Sequence, residues 1–161
     1  MLYRKSLSRE QALQKAKHYC SYQERCHAEV KEKLYSFRLR KTDTEALLSQ
    51  LIEEGYLNEE RFAIQFAGGK FRMKQWGRIK IKYELKQKQV SEYCIKKALK
   101  QIGDEEYIRI IHKLANQKWQ SLKGEKNLFI KLRKTQDYLL QKGFEPGLAG
   151  EVLKEIQKNP E

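Results

Sequence analysis

Residues 85–99 read LKQKQVSEYCIKKAL and residues 139–153 read LLQKGFEPGLAGEVL. Few letters agree, but the apolar positions do: Leu85, Val90, Ile95 and Leu99 keep the same offsets as Leu139, Phe144, Ala149 and Leu153. Apolar positions held at fixed offsets while other letters drift mark a structural repeat. In the first third, Leu34 leads to Leu47 and Leu51, three residues further on, which predicts a small insertion near 38–41. The unit recurs about every fifty residues and reads as helix, helix, turn, helix. One such unit buries little surface by itself, so neighbours are expected to stack. The predicted fold is all-α, with three tandem three-helix, helix-turn-helix-like repeats over 8–55, 56–103 and 104–158 in an elongated, curved array.

The rest of the chain supports helices. Its only prolines are Pro146 and Pro160, and Lys, Glu, Gln, Leu and Ala dominate between scattered glycines; these are strong helix formers. Apolar residues recur at helical spacing: Ala12, Ala16, Tyr19 and Cys20; Phe62, Phe66 and Met73; Ile81 and Leu85; Ile108, Ile111, Ala115 and Trp119; Leu128, Leu132 and Leu139. No stretch alternates with period two. Ser8 with Gln11 and Thr42 with Glu45 read as capping boxes, and Asp104 opens a further helix. Gly55, Gly103, Gly124 and Gly143 stand where helices should stop, and Gly68-Gly69 should end or kink one.

Among the 161 residues, 34 are basic and 21 acidic, for a net charge of +13. A charge of that size points to a polyanionic partner. The stretch 70–88 is its sharpest expression: Lys70, Arg72, Lys74, Arg78, Lys80, Lys82, Lys86 and Lys88 are opposed only by Glu84. Such cations can neutralise phosphates and release counterions. Arg78, Lys82 and Lys86, four apart, share one helix face, and losing all three is expected to cost under ~0.5 kcal/mol of stability. Trp76 and Tyr83 lie among them. Aromatic rings can stack on bases, but large rings are usually buried, so both are expected in the core. Lys31, Lys33, Arg38, Arg40 and Lys41 form a second basic group, and Lys123, Lys126, Lys131, Arg133 and Lys134 a third. Three such patches, if aligned, would suit a long helical polyanion.

Other chemistries find little support. No P-loop and no nucleophile elbow is present. His18, Cys20, Cys26 and His27 are zinc-ligand types, but their spacing matches no common zinc pattern. Three cysteines make an odd count for a disulfide framework. Met1-Leu2-Tyr3-Arg4-Lys5 turns polar at once, unlike a secretory leader, and no apolar run reaches membrane-spanning length. The expectation is a cytoplasmic monomer that is not an enzyme and holds no metal or cofactor.

Four motifs resemble the RecX family. Residues 55–63, Gly-Tyr-Leu-Asn-Glu-Glu-Arg-Phe-Ala, are similar to the family's Gly-Tyr/Leu-Leu/Ile-Asn/Asp-Asp-x-Arg-Phe-Ala, with Glu59 where Asp is commoner. Residues 77–88 look like Gly-x-x-x-Ile-x-x-Glu-Leu-x-x-Lys-Gly, with Gln89 in place of the last glycine. Gly143-Phe144 and Val152-Leu153 resemble the third repeat. Residues 22–34 resemble Arg-x-Arg-Ser-x-x-Glu-Leu-x-x-Lys-Leu, with Cys26 at the Ser N-cap position. The resemblance spans 8–157. It implies three tandem three-helix modules that dock in the groove of the RecA–DNA filament and limit filament growth, ATP hydrolysis and strand exchange, within DNA repair and the SOS response. It brings no catalytic residues. On this reading the filament and DNA contacts fall to Arg72, Lys74, Arg78, Lys80, Lys82, Lys86, Lys88, Arg38, Arg40, Lys131 and Arg133, with weak, nonspecific affinity for single- or double-stranded DNA. A sequence-specific DNA reader and a purely protein-binding helical scaffold are the other readings of the same residues.

Overall fold

The structure, a computed structural model, describes residues 6–158; the N-terminal pentapeptide and Pro160 lie outside them. Among the described residues there are nine α-helices, one π-helical turn and no strand. The helices are α1 (Arg9–Tyr22), α2 (His27–Ser36), α3 (Lys41–Glu53), α4 (Glu59–Gly69), α5 (Arg78–Gln87), α6 (Glu92–Lys100), α7 (Asp104–Ser121), α8 (Leu128–Gln141) and α9 (Pro146–Lys158). The π turn, Lys70–Lys74, continues α4 past the predicted break at Gly68-Gly69. The chain divides into two compact units. The first runs to Phe66 and includes Leu85–Ala98; the second holds Ala67–Glu84 and everything from Leu99 onward.

In the first unit α1, α2 and α3 pack on one another. Ala12, Ala16, Cys20, Val30, Leu34, Leu47, Leu51 and Leu57 form the core, flanked by half-buried Tyr19, Phe37 and Leu39. Each fully buried leucine contributes roughly 1.5–3 kcal/mol through removal of apolar surface from water. The predicted Ser8 capping box is present: Gln11 N–H donates to Ser8 Oγ at 3.2 Å and Ser8 N–H to Gln11 Oε1 at 3.1 Å. The one predicted at Thr42 is not, because α3 starts earlier, after Arg40, and has no side-chain cap. The 55–63 motif is structural. Asn58 Oδ1 accepts from Arg61 N–H at 2.9 Å, and the Arg61 guanidinium donates to the Gly55 carbonyl at 3.0 Å and to Glu24 at 2.5 Å.

The repeat has a physical basis in its turns, two of which share the same closing hydrogen bond. Val90 N–H donates to the Leu85 carbonyl and Phe144 N–H to the Leu139 carbonyl, each at 3.1 Å. The residue before the donor, Gln89 or Gly143, is left-handed, with φ of 62° and 95°. This is a Schellman stop, whose paired apolar side chains explain the shared first offset. Arg38, at φ 59°, stands at the corresponding point after Leu34. The predicted insertion near 38–41 is therefore corrected. α2 to α3, α5 to α6 and α8 to α9 are joined by loops of equal length, and the true counterparts of Ile95 and Ala149 is Thr44, not Leu47. A polar residue in that core place hid the register. Thr44 is fully buried and its Oγ1 has no hydrogen-bond partner among the described residues. Thr44→Val should therefore stabilise the chain by about 1 kcal/mol, since it removes an unmet desolvation cost; chemical denaturation reads the change. Gln89→Gly should add roughly 0.5–1 kcal/mol, because glycine adopts the left-handed conformation without a Cβ clash, and is checked by the same measurement.

In the second unit α7, α8 and α9 pack together. Phe71, Tyr107 and Phe144 form a buried aromatic run, with ring centroids 5.8 and 5.2 Å apart, and Ile111, Leu114, Leu139, Val152 and Ile156 of the same unit are buried too. Met73 and Leu128, predicted in apolar stripes, are exposed.

The start of α5 is held by partners distant in sequence. A helix leaves its first amides without internal partners and its last carbonyls likewise. Here Gly77 N–H donates to the Lys142 carbonyl at 2.8 Å and Ile79 N–H to the Gly143 carbonyl at 2.9 Å, so the end of α8 satisfies the start of α5. Arg78 N–H between them donates to the Tyr107 hydroxyl at 3.0 Å. The close approach depends on Gly77, where a Cβ would strike the backbone of Gly143 and Phe144.

Candidate nucleic-acid interface

The basic stretch divides by what each cation touches. In the second unit Arg72 and Lys74 on the π turn and Lys82 on α5 are exposed, and none has an ion-pair partner among the described residues. Lys80 is half-buried, its ammonium 4.6 Å from the Trp76 ring centroid, and Lys70 approaches the same ring at 5.1 Å. Trp76 is thus a half-exposed platform for two lysines rather than a core residue. Tyr83 is 59% exposed and Met73 84%, which corrects the burial expected for both. Ile79 is also exposed and, four residues before Tyr83, shares its helix face. This unit therefore shows unpaired cations among uncovered apolar side chains.

Arg78 departs from its predicted role. Its side chain is only 27% exposed, and its guanidinium pairs with Glu145 at 3.0 Å and Asp104 at 2.7 Å while lying 3.8 Å above the Tyr107 ring. The Tyr107 hydroxyl donates to Glu145 in turn. Asp104 opens α7, and Glu145 immediately precedes α9, positions where a helix N-terminus favours negative charge. Burial, and then the bond to Glu145, push the Tyr107 phenol well above its ordinary range, so it stays a donor. Arg78 is a structural clamp, and the structure withdraws it from the free cations. Nothing in local spacing signalled this, because its partners come 26 and 67 residues later.

Other cations are placed as follows. In the first unit, Lys86 pairs loosely with Glu92 and Lys88 with Glu29, each at 3.6 Å. Arg38 and Arg40 are exposed in the turn before α3. In the second unit Lys131 lies over the Trp119 ring at 4.1 Å, and Arg133 is exposed. The buried Cys26 thiol donates to Glu29 at 3.2 Å, and burial pushes its pKa up to about 11. Among the described residues no three His, Cys, Asp or Glu side chains converge as metal ligands, and no helix is long and apolar enough to cross a membrane.

Comparison with known families matches two stretches of this framework. The model of the RecX second three-helix domain matches residues 58–99, and that of the third three-helix domain matches 104–153. The chain belongs to the RecX family. It is 36% identical over 110 residues to the regulatory protein RecX of Lactobacillus gasseri, which covers 66% of this chain and 41% of the relative. It is 30% identical over 148 residues to the regulatory protein RecX of Lactococcus lactis subsp. cremoris, covering 88% and 54%. The chain thus spans about half the length of these RecX relatives. The crystal structure of RecX from Lactobacillus salivarius superposes with a TM-score of 0.85 at 22% identity, over 92% of this chain and 96% of that one. A second RecX crystal structure gives 0.81 at 23% identity, over 91% and 71%. The all-α fold of tandem three-helix modules is therefore the RecX fold.

Proposed function

We propose that this chain restrains the RecA recombinase. It lies in the groove of the RecA–DNA filament and limits filament extension, ATP hydrolysis and strand exchange, acting as a cytoplasmic monomer over modules at 8–55, 56–103 and 104–158. No catalytic step, metal or cofactor is invoked. The observation that carries this reading is the exposed trio Arg72, Lys74 and Lys82, unpaired among the described residues and set beside uncovered Met73, Ile79 and Tyr83. Cations without partners are available to phosphates or to carboxylates of a protein surface, and exposed apolar side chains suit burial against protein. Lys80, Lys86, Lys88, Arg38, Arg40, Lys131 and Arg133 add charge of the same sign, which favours weak, nonspecific contact with single- or double-stranded DNA.

The test is ATP hydrolysis by RecA on single-stranded DNA. Stoichiometric chain should lower the rate several-fold, and Arg72→Glu/Lys82→Glu should remove most of that effect with its melting temperature intact, as expected of exposed positions. Undiminished hydrolysis with the unaltered chain would refute the reading.

A further inference from the structure

The cations of α5 and the π turn leave unexplained a second basic site, wholly inside the first unit. A cleft of about 600 Å³ opens along α1 and α2, within the range of roughly 300–1,000 Å³ usual for small-ligand sites. Lys15, His18, Tyr19 and Tyr22 come from one face of α1, at the spacing that brings side chains of successive turns together; Arg25 and Lys33 complete it. None of the described residues lining it is acidic.

Its aromatic and cationic groups are already ordered against one another. The Arg25 guanidinium lies 3.7 Å from the Tyr19 ring centroid, and its Nε–H donates to the Tyr19 carbonyl at 3.1 Å. Glu29 approaches Arg25 only at 3.8 Å. The Lys33 ammonium stands 5.3 Å from the Tyr19 ring and 5.8 Å from that of Phe37. The Tyr22 ring is 78% exposed at the rim. The Arg25 side chain, 13% exposed, is held against Tyr19, whereas the bare Tyr22 ring is a surface on which nucleobases stack, and two lining lysines suit a phosphate.

We propose that this cleft holds one nucleotide, with the base against Tyr22 and the phosphate at Lys15 and Lys33. A peptide carboxylate would use the lysines but would leave the exposed ring without a stacking partner, so a nucleotide fits the whole lining better. The inference does not depend on the recombinase reading, which rests on other residues.

The experiment titrates the full chain with a fluorescein-labelled thymidine octanucleotide and, separately, follows His18 and Tyr22 ring resonances with that octamer or with thymidine monophosphate. Tyr22→Ala and Lys15→Glu/Lys33→Glu should each weaken octamer binding about ten-fold or more. Tyr22→Phe should bind like the unaltered chain, and the charge-matched Lys113→Glu/Lys158→Glu should stay within about two-fold of it. Ring shifts with both ligands assign a mononucleotide site, and shifts with the octamer alone assign a strand-binding site; either supports the proposal. Unmoved His18 and Tyr22 resonances at saturating octamer overturn it, as would equal weakening by both charge pairs or shifts produced by a poly-glutamate peptide and by neither nucleic acid.

Discussion

Gly77→Ala is expected to lower the stability of the second unit by about 3 kcal/mol, the upper end of the usual range for overpacking. The added Cβ would meet the Gly143 carbonyl and the Phe144 amide nitrogen, both backbone, so no side-chain rotation relieves the contact. Separating the two segments would also strain the bonds from Gly77 and Ile79 to the end of α8. Gly69→Ala is the internal control. Gly69 is helical, and a Cβ there has nothing within 4 Å, so that substitution should stabilise by roughly 0.5–1 kcal/mol. Chemical denaturation of the two variants should move the midpoint in opposite directions. A Gly77→Ala midpoint equal to that of the unaltered chain would show that the crossing is looser than described.

Arg78→Ala is expected to cost about 2 kcal/mol, against under ~0.5 kcal/mol for Lys82→Ala on the same helix. Removing the guanidinium takes away the pair with half-buried Glu145 and uncovers the Tyr107 ring. The Asp104 pair adds little, since that carboxylate is almost fully solvated. Arg78→Lys should recover only part of the loss, because an ammonium cannot span two carboxylates and stack at once. Thermal melts of the three variants decide the matter. Equal melting temperatures for Arg78→Ala and Lys82→Ala would return Arg78 to the free surface cations.

These two positions mark where sequence reading stopped. Helix content, the repeat and the Ser8 cap were legible because they depend on local spacing. The 55–63 block was legible as a motif, but its work, an Arg61 bridge to Gly55 and Glu24, requires the fold. The first repeat was read out of register because Thr44 is polar in a core place, and a search for apolar offsets passes over it. Residue type alone puts Trp76 and Tyr83 in the core, and helical spacing from Phe62 and Phe66 puts Met73 there. Tyr83 and Met73 are exposed and Trp76 is half-exposed; the π turn, closed by Gln75 at φ 56°, breaks the helical phase between Phe71 and Ile81. The predicted basic site kept Arg72, Lys74 and Lys82 as free cations and lost Arg78 to the aromatic cluster of the second unit. The cleft of α1 and α2 is not legible in the sequence, where Tyr19 reads as part of an apolar helix face and Lys33 as one of a basic group; only the fold brings them together.

Co-sedimentation with preformed RecA filaments on single-stranded DNA, with and without nucleotide, tests the central claim most directly. The account predicts that the chain pellets with nucleotide-bound filaments at a saturable ratio and that Arg72→Glu/Lys82→Glu leaves it in the supernatant. A chain that stays in the supernatant whether or not filaments are present would contradict it.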